Sequence, residues 1–309
     1  MINFKQNLIT MSKITNFSIV ASFLGLWINS FFDNRIQIII GFILIFSFGI
    51  LHGANDILLI NKSKSRNNGV TFYKILSYYA IVVLIGALLF YFIPIIALLL
   101  FILVSGYHFG EQHWQIELSD GNKPINLLFH LFYGLLILSM LFIFHINEVQ
   151  RIVSAISNIT IPHEFITSFF YFSLGCFLTL CIVKFISLKK FQKTILQELL
   201  FLLVFAIIFK TSTLIWGFTL YFILWHSIPS MKDQIDFLYG SFSFENFKAY
   251  LKSAFVYWII SIAGIFTLYF IFRNDYFFDA LFFSILAAIT FPHVWVIVTM
   301  FKNKKSELN

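Results

Sequence analysis

Four histidines stand inside long apolar stretches of this chain. They are His52 in Ile50-Leu51-His52-Gly53-Ala54-Asn55-Asp56, His108 in Tyr107-His108-Phe109-Gly110-Glu111, His226 in Trp225-His226-Ser227 and His293 in Phe291-Pro292-His293. Imidazole is expensive to keep in hydrocarbon, so a histidine there with polar neighbours is a candidate for function. Four of them point to a metal: an imidazole-only set suits Fe(II), Cu or Zn, with iron favoured where oxygen chemistry is intended. Asp56 follows His52 by four residues and Glu111 follows His108 by three. Those spacings put each carboxylate on its histidine's helical face, where it can accept the second ring N–H and orient the ligand. Gly53, Gly106 and Gly110 remove bulk beside the imidazoles, which lets helices approach or leaves room for a ligand. The bland alternative, a hydrogen-bonded contact between helices, suffices for any one of these histidines and less well for four at once.

The remaining histidines divide by position. His113 and His130 lie near the same end of the bundle and are candidates for a supporting contact or a substitute ligand, whereas His145 and His163 fall in a loop beside Glu148 and Glu164 and read as solvated. Aromatic residues flank the histidine motifs. Phe101, Tyr107, Phe109, Trp114, Tyr221, Phe222 and Trp225 are placed to line a tunnel for a long apolar substrate, although aromatics also fill helix interfaces and membrane belts. Cys176 and Cys181, five apart in one apolar run, read as packing residues.

The elements that must position these groups follow from composition. The 309 residues are 60% hydrophobic and 11% charged, with a mean hydropathy of +0.88, which no water-soluble domain of this length needs for its core. Apolar runs of about 20 residues match helices crossing a hydrocarbon layer, and the alternation of a transmembrane barrel is absent. The expected fold is therefore all-α, a polytopic transmembrane bundle forming a single integral membrane domain over 1–309. About ten spans are expected: 14–32, 36–60, 72–91, 94–114, 125–144, 166–186, 194–209, 213–231, 254–272 and 280–300. The long run from Thr194 to Met231 divides at Lys210-Thr211-Ser212. The N-terminal residues show no cleavable signal peptide.

Charge sets the expected orientation, because Lys and Arg accumulate in cytoplasmic loops. With both tails, 1–13 and 302–309, inside an inner (cell) membrane, the outer segments hold only Arg35, Arg151, Lys210 and Arg273 of the 21 basic residues, while Lys62, Lys64 and Arg66 share one inner loop. All four intramembrane histidines then fall on spans running from outside to inside. Each lies about 8–12 Å below the inner surface at 1.5 Å of rise per residue. No solvated basic domain exists that could bind nucleic acid.

At these residues the chain resembles the Brp/Blh family of membrane-bound bacterial and archaeal β-carotene 15,15'-dioxygenases. His52-Gly53-Ala54 with Asp56, His108-Phe109-Gly110, Trp225-His226-Ser227 and Pro292-His293 match the family's motifs in order and approximate spacing. The resemblance spans about 45 to 300. It implies a non-haem Fe(II) enzyme that splits the central double bond of β-carotene with O2 to give two molecules of retinal, commonly serving a microbial rhodopsin. One position departs from the pattern. Many members carry a second histidine four residues after that of Trp-His-Ser, a proposed iron ligand, and here Ser230 stands there. The fourth ligand then falls to His293 first and His113 second, or the site holds three histidines and open positions.

Two other classes compete. Paired histidines on facing helices also suit a haem- or metal-binding membrane electron carrier. A transporter is less favoured, because the ionisable residues cluster at one depth instead of forming a path. A retinal-binding photoreceptor lacks the mid-span lysine its Schiff base needs.

Overall fold

The computed structural model describes residues 2–64, 72–114, 122–271 and 275–308, with side chains throughout except at 2–12, 64, 72, 265, 268–269, 271, 275–283 and 304–308. Arg66 and Arg273, two of the residues in the charge count, lie outside it. Among the described residues every element is helical. In lipid a helix satisfies its own backbone polar groups, which is why apolar runs of this length adopt no other form.

In chain order these are α1 (Ile2–Asn29), α2 (Asn34–Leu44), α3 (Ile50–Gly53), α4 (Asp56–Lys64), α5 (Phe72–Phe92), α6 (Pro94–Trp114) and α7 (Lys123–Phe144). There follow α8 (Ile146–Ser157), α9 (His163–Ser187), α10 (Lys189–Thr211), α11 (Leu214–Tyr221), α12 (Ile228–Tyr239), α13 (Phe244–Ile271) and α14 (Asp275–Leu308). Eight helices among the described residues are long and apolar enough to cross a membrane; two of these are composite, Asn34–Ser63 and Leu214–Tyr239. The two further expected spans fall on α1 and α13. The chain is thus an all-α polytopic bundle. Helix reaches further than the expected spans at both ends, back to Ile2 and on to Leu308.

Local chemistry sets the boundaries. The Asp33 side chain accepts the Ile36 N–H at 2.9 Å to start α2, and Thr213 does the same for Trp216 at 3.3 Å at the head of α11. Pro94 opens α6, where its missing N–H leaves nothing unsatisfied. The break expected at Lys210-Thr211-Ser212 falls between α10 and α11.

The composite span Leu214–Tyr239 runs through the middle of the bundle with 89% of its apolar window buried, whereas α5 and α9 bury only 17% and turn outward. The outward faces carry large apolar side chains such as Val20, Trp27, Tyr91, Phe92 and Ile186. A water-facing surface would not tolerate them in such numbers; a lipid-facing one requires them.

Helices α6 and α7 meet at the closest crossing. A Cβ on Gly110 would fall on the His130 carbonyl, and one on Gly134 would fall on the Gly106 carbonyl. Only glycine allows two backbones this near, the membrane form of small-residue packing.

Helix α8 is not a span. Twelve residues long and amphipathic, it lies against the bundle with Val149 and Ile152 buried. Its arrival corrects one expectation. His145, read as solvated, is buried at the α7–α8 junction with Nε2 2.8 Å from the Phe209 carbonyl. Burial holds this imidazole below its ordinary range, against the Phe209 carbonyl and Glu148, which both favour the charged form. His163 is exposed and meets the Gln150 side chain at 2.7 Å.

Candidate metal centre

Two of the histidine-bearing spans depart from α-helical winding at the histidine. The first passes through a π-helical turn, Ile45–Gly49, just before α3, and the second through Phe222–Ser227, which contains His226. Such turns carry an extra residue, rotate the side chains that follow and leave carbonyls without their usual partners. Neighbouring helices supply donors. The Trp258 indole N–H points at the Phe46 and Ser47 carbonyls at 3.1 and 3.0 Å, Ser18 donates to Leu224 O at 2.7 Å, and Gln112 donates to His226 O at 2.9 Å. His293 follows Pro292, which removes one hydrogen bond inside α14. His108 alone stands on regular helix.

The four imidazoles meet. Ring centroids lie 5.1 Å apart for His52 and His226, 4.8 Å for His226 and His108, 5.3 Å for His108 and His293, and 4.8 Å for His293 and His52. Within this closed ring, His52, His226 and His293 each offer a nitrogen within 4.8 Å of the others. All four side chains are buried. Both ring nitrogens of His52 and of His108, Nδ1 of His226 and Nε2 of His293 are buried with no hydrogen-bond partner among the described residues. An unmade buried hydrogen bond costs about 1–3 kcal/mol. Several such atoms converging on one point fit a bound cation, which would occupy their lone pairs, better than they fit an empty polar contact.

Asp56 serves a different histidine from the one its spacing suggests. Its Oδ1 lies 2.9 Å from Nδ1 of His293, and its Oδ2 accepts the Tyr79 hydroxyl at 2.8 Å. The cause is local. Helix α3 stops at Gly53 and α4 starts at Asp56, so the intervening turn at Ala54-Asn55 destroys the four-residue register with His52. Asn55 pins that turn to α13, donating to Tyr250 O at 3.0 Å and accepting from Ser253 at 2.8 Å. A carboxylate only accepts, so Nδ1 of His293 carries the hydrogen and Nε2 keeps a free lone pair.

Glu111 likewise turns away from His108. One oxygen accepts the Tyr107 hydroxyl at 2.9 Å and the other is buried without a partner among the described residues. His113 stands apart from the ring, with Nδ1 3.4 Å from Glu198, a carboxylate that also accepts the Tyr133 hydroxyl at 2.6 Å. His130 belongs to the α6–α7 crossing, its ring 6.0 Å from that of Tyr107. Ser230 is tied into a polar chain behind His52: Gln234 donates to Ser230 at 3.2 Å, Tyr250 donates to Gln234 at 2.8 Å, and the Tyr250 oxygen is 3.2 Å from the His52 carbonyl.

The imidazoles form one end of a narrow apolar cavity of about 140 Å³. Of the aromatics expected along a tunnel, Phe101, Phe109 and Phe222 line it. Tyr107 is on Glu111; Trp225 donates to Ser22 at 2.9 Å and packs on Phe201 and Phe205; Tyr221 packs on Phe205 and Phe109. Phe46, Phe142 and Phe218 complete the lining, and Phe222 is stacked 5.4 Å from His226. Tyr79 and Tyr250 carry no spacing signal in the sequence, because each reaches the site from a helix without a ring histidine, whereas Gln112 stands four residues after His108 on α6 and Gln234 eight after His226 on the same composite span. Asn55 adjoins the first motif and was legible there.

The profile of the family described as Beta-carotene 15,15'-dioxygenase matches residues 43–301. The chain belongs to that family. No curated protein and no solved structure matches the chain significantly. The matched stretch contains all four histidines and Asp56, so the segment that carries the dioxygenase-family likeness is the one that builds the imidazole ring.

Proposed function

We propose that this protein is a non-haem iron dioxygenase that cleaves the 15,15' double bond of β-carotene with O2, one oxygen atom passing to each carbon to give two retinal molecules. The observation that carries the reading is the ring of four buried imidazoles, each with at least one nitrogen that has no hydrogen-bond partner among the described residues, at an apolar cavity in a chain of this family. His52, His226 and His293 would hold the iron with His108 beside them, and His293 in place of the family histidine that Ser230 replaces. Bound Fe(II) supplies the unpaired electrons that let ground-state dioxygen react with a closed-shell polyene. The protein does the rest. Asp56, itself held by Tyr79, fixes the tautomer of His293; Gln112 and Tyr250 grip the backbone at His226 and His52; the apolar walls exclude water and hold the polyene straight. A haem carrier is disfavoured, because four rings closing at 4.8–5.3 Å leave no flat slot for a porphyrin.

Expression in a β-carotene-producing host is expected to bleach the cells and accumulate retinal on chromatography. Unchanged carotene in cells that hold the iron-loaded protein would exclude the reading.

The orientation belongs to the same proposal: both termini cytoplasmic, O2 and substrate arriving from the bilayer, retinal leaving to an acceptor such as a rhodopsin. Reporter fusions after Lys64, Lys190 and Lys305 should all read cytoplasmic. A signal from the opposite side at any of them would break the assignment of the four histidines to one depth below the inner surface.

A further inference from the structure

From the imidazoles the cavity runs along α11 to Leu214, about 18 Å of helix rise from His226. Val149 and Ile152, each 8% exposed, line its far end from the inner face of α8, together with Leu141 and Phe142 of α7. None of these end-wall side chains carries a polar atom. The polar lining residues other than histidine, Ser105 and Thr290, each stand three residues before a ring histidine, at the opposite end, and the Thr290 hydroxyl is already spent on Leu286 O at 2.7 Å. Helix α8 is fixed in place and is no loose flap: His145 is held on the Phe209 carbonyl at 2.8 Å, and Gln150 donates to Ile161 O at 2.5 Å while meeting His163 at 2.7 Å.

We propose that this hydrocarbon end wall on α8 is the specificity element of the site: it admits an unoxygenated end group of the polyene, and its depth fixes which double bond stands at the imidazoles. The inference rests on the carotenoid-cleaving reading above. A hydroxylated end ring pressed against Val149 and Ile152 would bury its O–H without a partner, and a site that leaves a polar group unpaired discriminates strongly. A wall moved inward would stop the polyene earlier and bring a bond nearer its buried end to the metal-binding group.

The test uses the full chain, iron-loaded in detergent, offered β-carotene and its 3,3'-dihydroxylated counterpart together. The wild type should give two aldehydes of equal length and prefer the hydrocarbon at least about tenfold. Ile152→Phe, with Val149→Phe as the second variant should the first fail to fold, should move the cut toward the buried end and yield one shorter and one longer aldehyde. Ile152→Gln should narrow the preference at least about threefold by offering the buried hydroxyl a partner. Product lengths and competition ratios do not follow from a general loss of stability, which lowers both substrates alike. Wild-type cleavage position and wild-type preference in the folded variants would overturn the end-wall role while leaving carotene cleavage standing. A wild type that cleaves neither substrate would overturn the cleavage reading itself.

Discussion

Replacement of His226 by alanine is expected to remove bound iron from the purified protein, lowering affinity by more than about 100-fold, the upper range for losing only an outer-shell partner. The same result is expected for His52→Ala and His293→Ala, because these three offer the nitrogens that lie within 4.8 Å of one another. Metal content per chain, measured directly after purification, gives the answer without reference to turnover. Asp56→Asn should be milder, about 10–100-fold in affinity, since it removes the acceptor on His293 Nδ1 and leaves the ring in place. The proteins should still insert, as their helices remain apolar. Full iron occupancy in His293→Ala would show that the ring does not hold the metal as assigned. The assignment would then pass to His113, whose Nδ1 meets Glu198 and whose Nε2 is buried without a hydrogen-bond partner among the described residues, or to a three-histidine site.

A second large effect is expected at the α6–α7 crossing. Gly134→Ala places a methyl group on the Gly106 carbonyl, and Gly110→Ala places one on the His130 carbonyl. Both obstacles are backbone, which cannot swing aside as a side chain can. The loss of stability should reach or exceed about 3 kcal/mol, the top of the usual range for overpacking. It should also lower metal occupancy, because α6 carries His108, whose ring packs against those of His226 and His293, and this crossing sets its position. Gly175 and Gly264 are the controls: a Cβ there meets nothing within 4 Å, and alanine should be neutral or slightly stabilising in a helix. Thermal melting in detergent compares all four. Gly134→Ala melting with the wild type would mean that the two helices do not approach as described.

The sequence by itself determined the class of the protein and the identity of the cluster. Apolar length and punctuation are local properties, so the helices, the break before α11 and the turn at Pro94 were legible from the chain. Intramembrane imidazoles are rare enough that their number and common depth pointed to one site, and His52, His108, His226 and His293 do converge. What failed were the inferences that assumed an unbroken 3.6-residue helix. Asp56 was assigned to His52 by four-residue spacing, yet the turn at Ala54-Asn55 sends its carboxylate to His293, 237 residues away in sequence. Trp225, within the π turn that holds His226, and Tyr221, just before it, point into the packing around Phe205, whereas Phe222 of the same turn stacks beside His226 at the four imidazoles. A π turn depends on donors from other helices, here Ser18 and Gln112, to satisfy the carbonyls it leaves unpaired. The helical fold and the residue types of the imidazole cluster are therefore written in local sequence. The facing of each side chain was decided only by tertiary structure, because the hydrogen bonds that allow those helices to break come from elsewhere in the bundle.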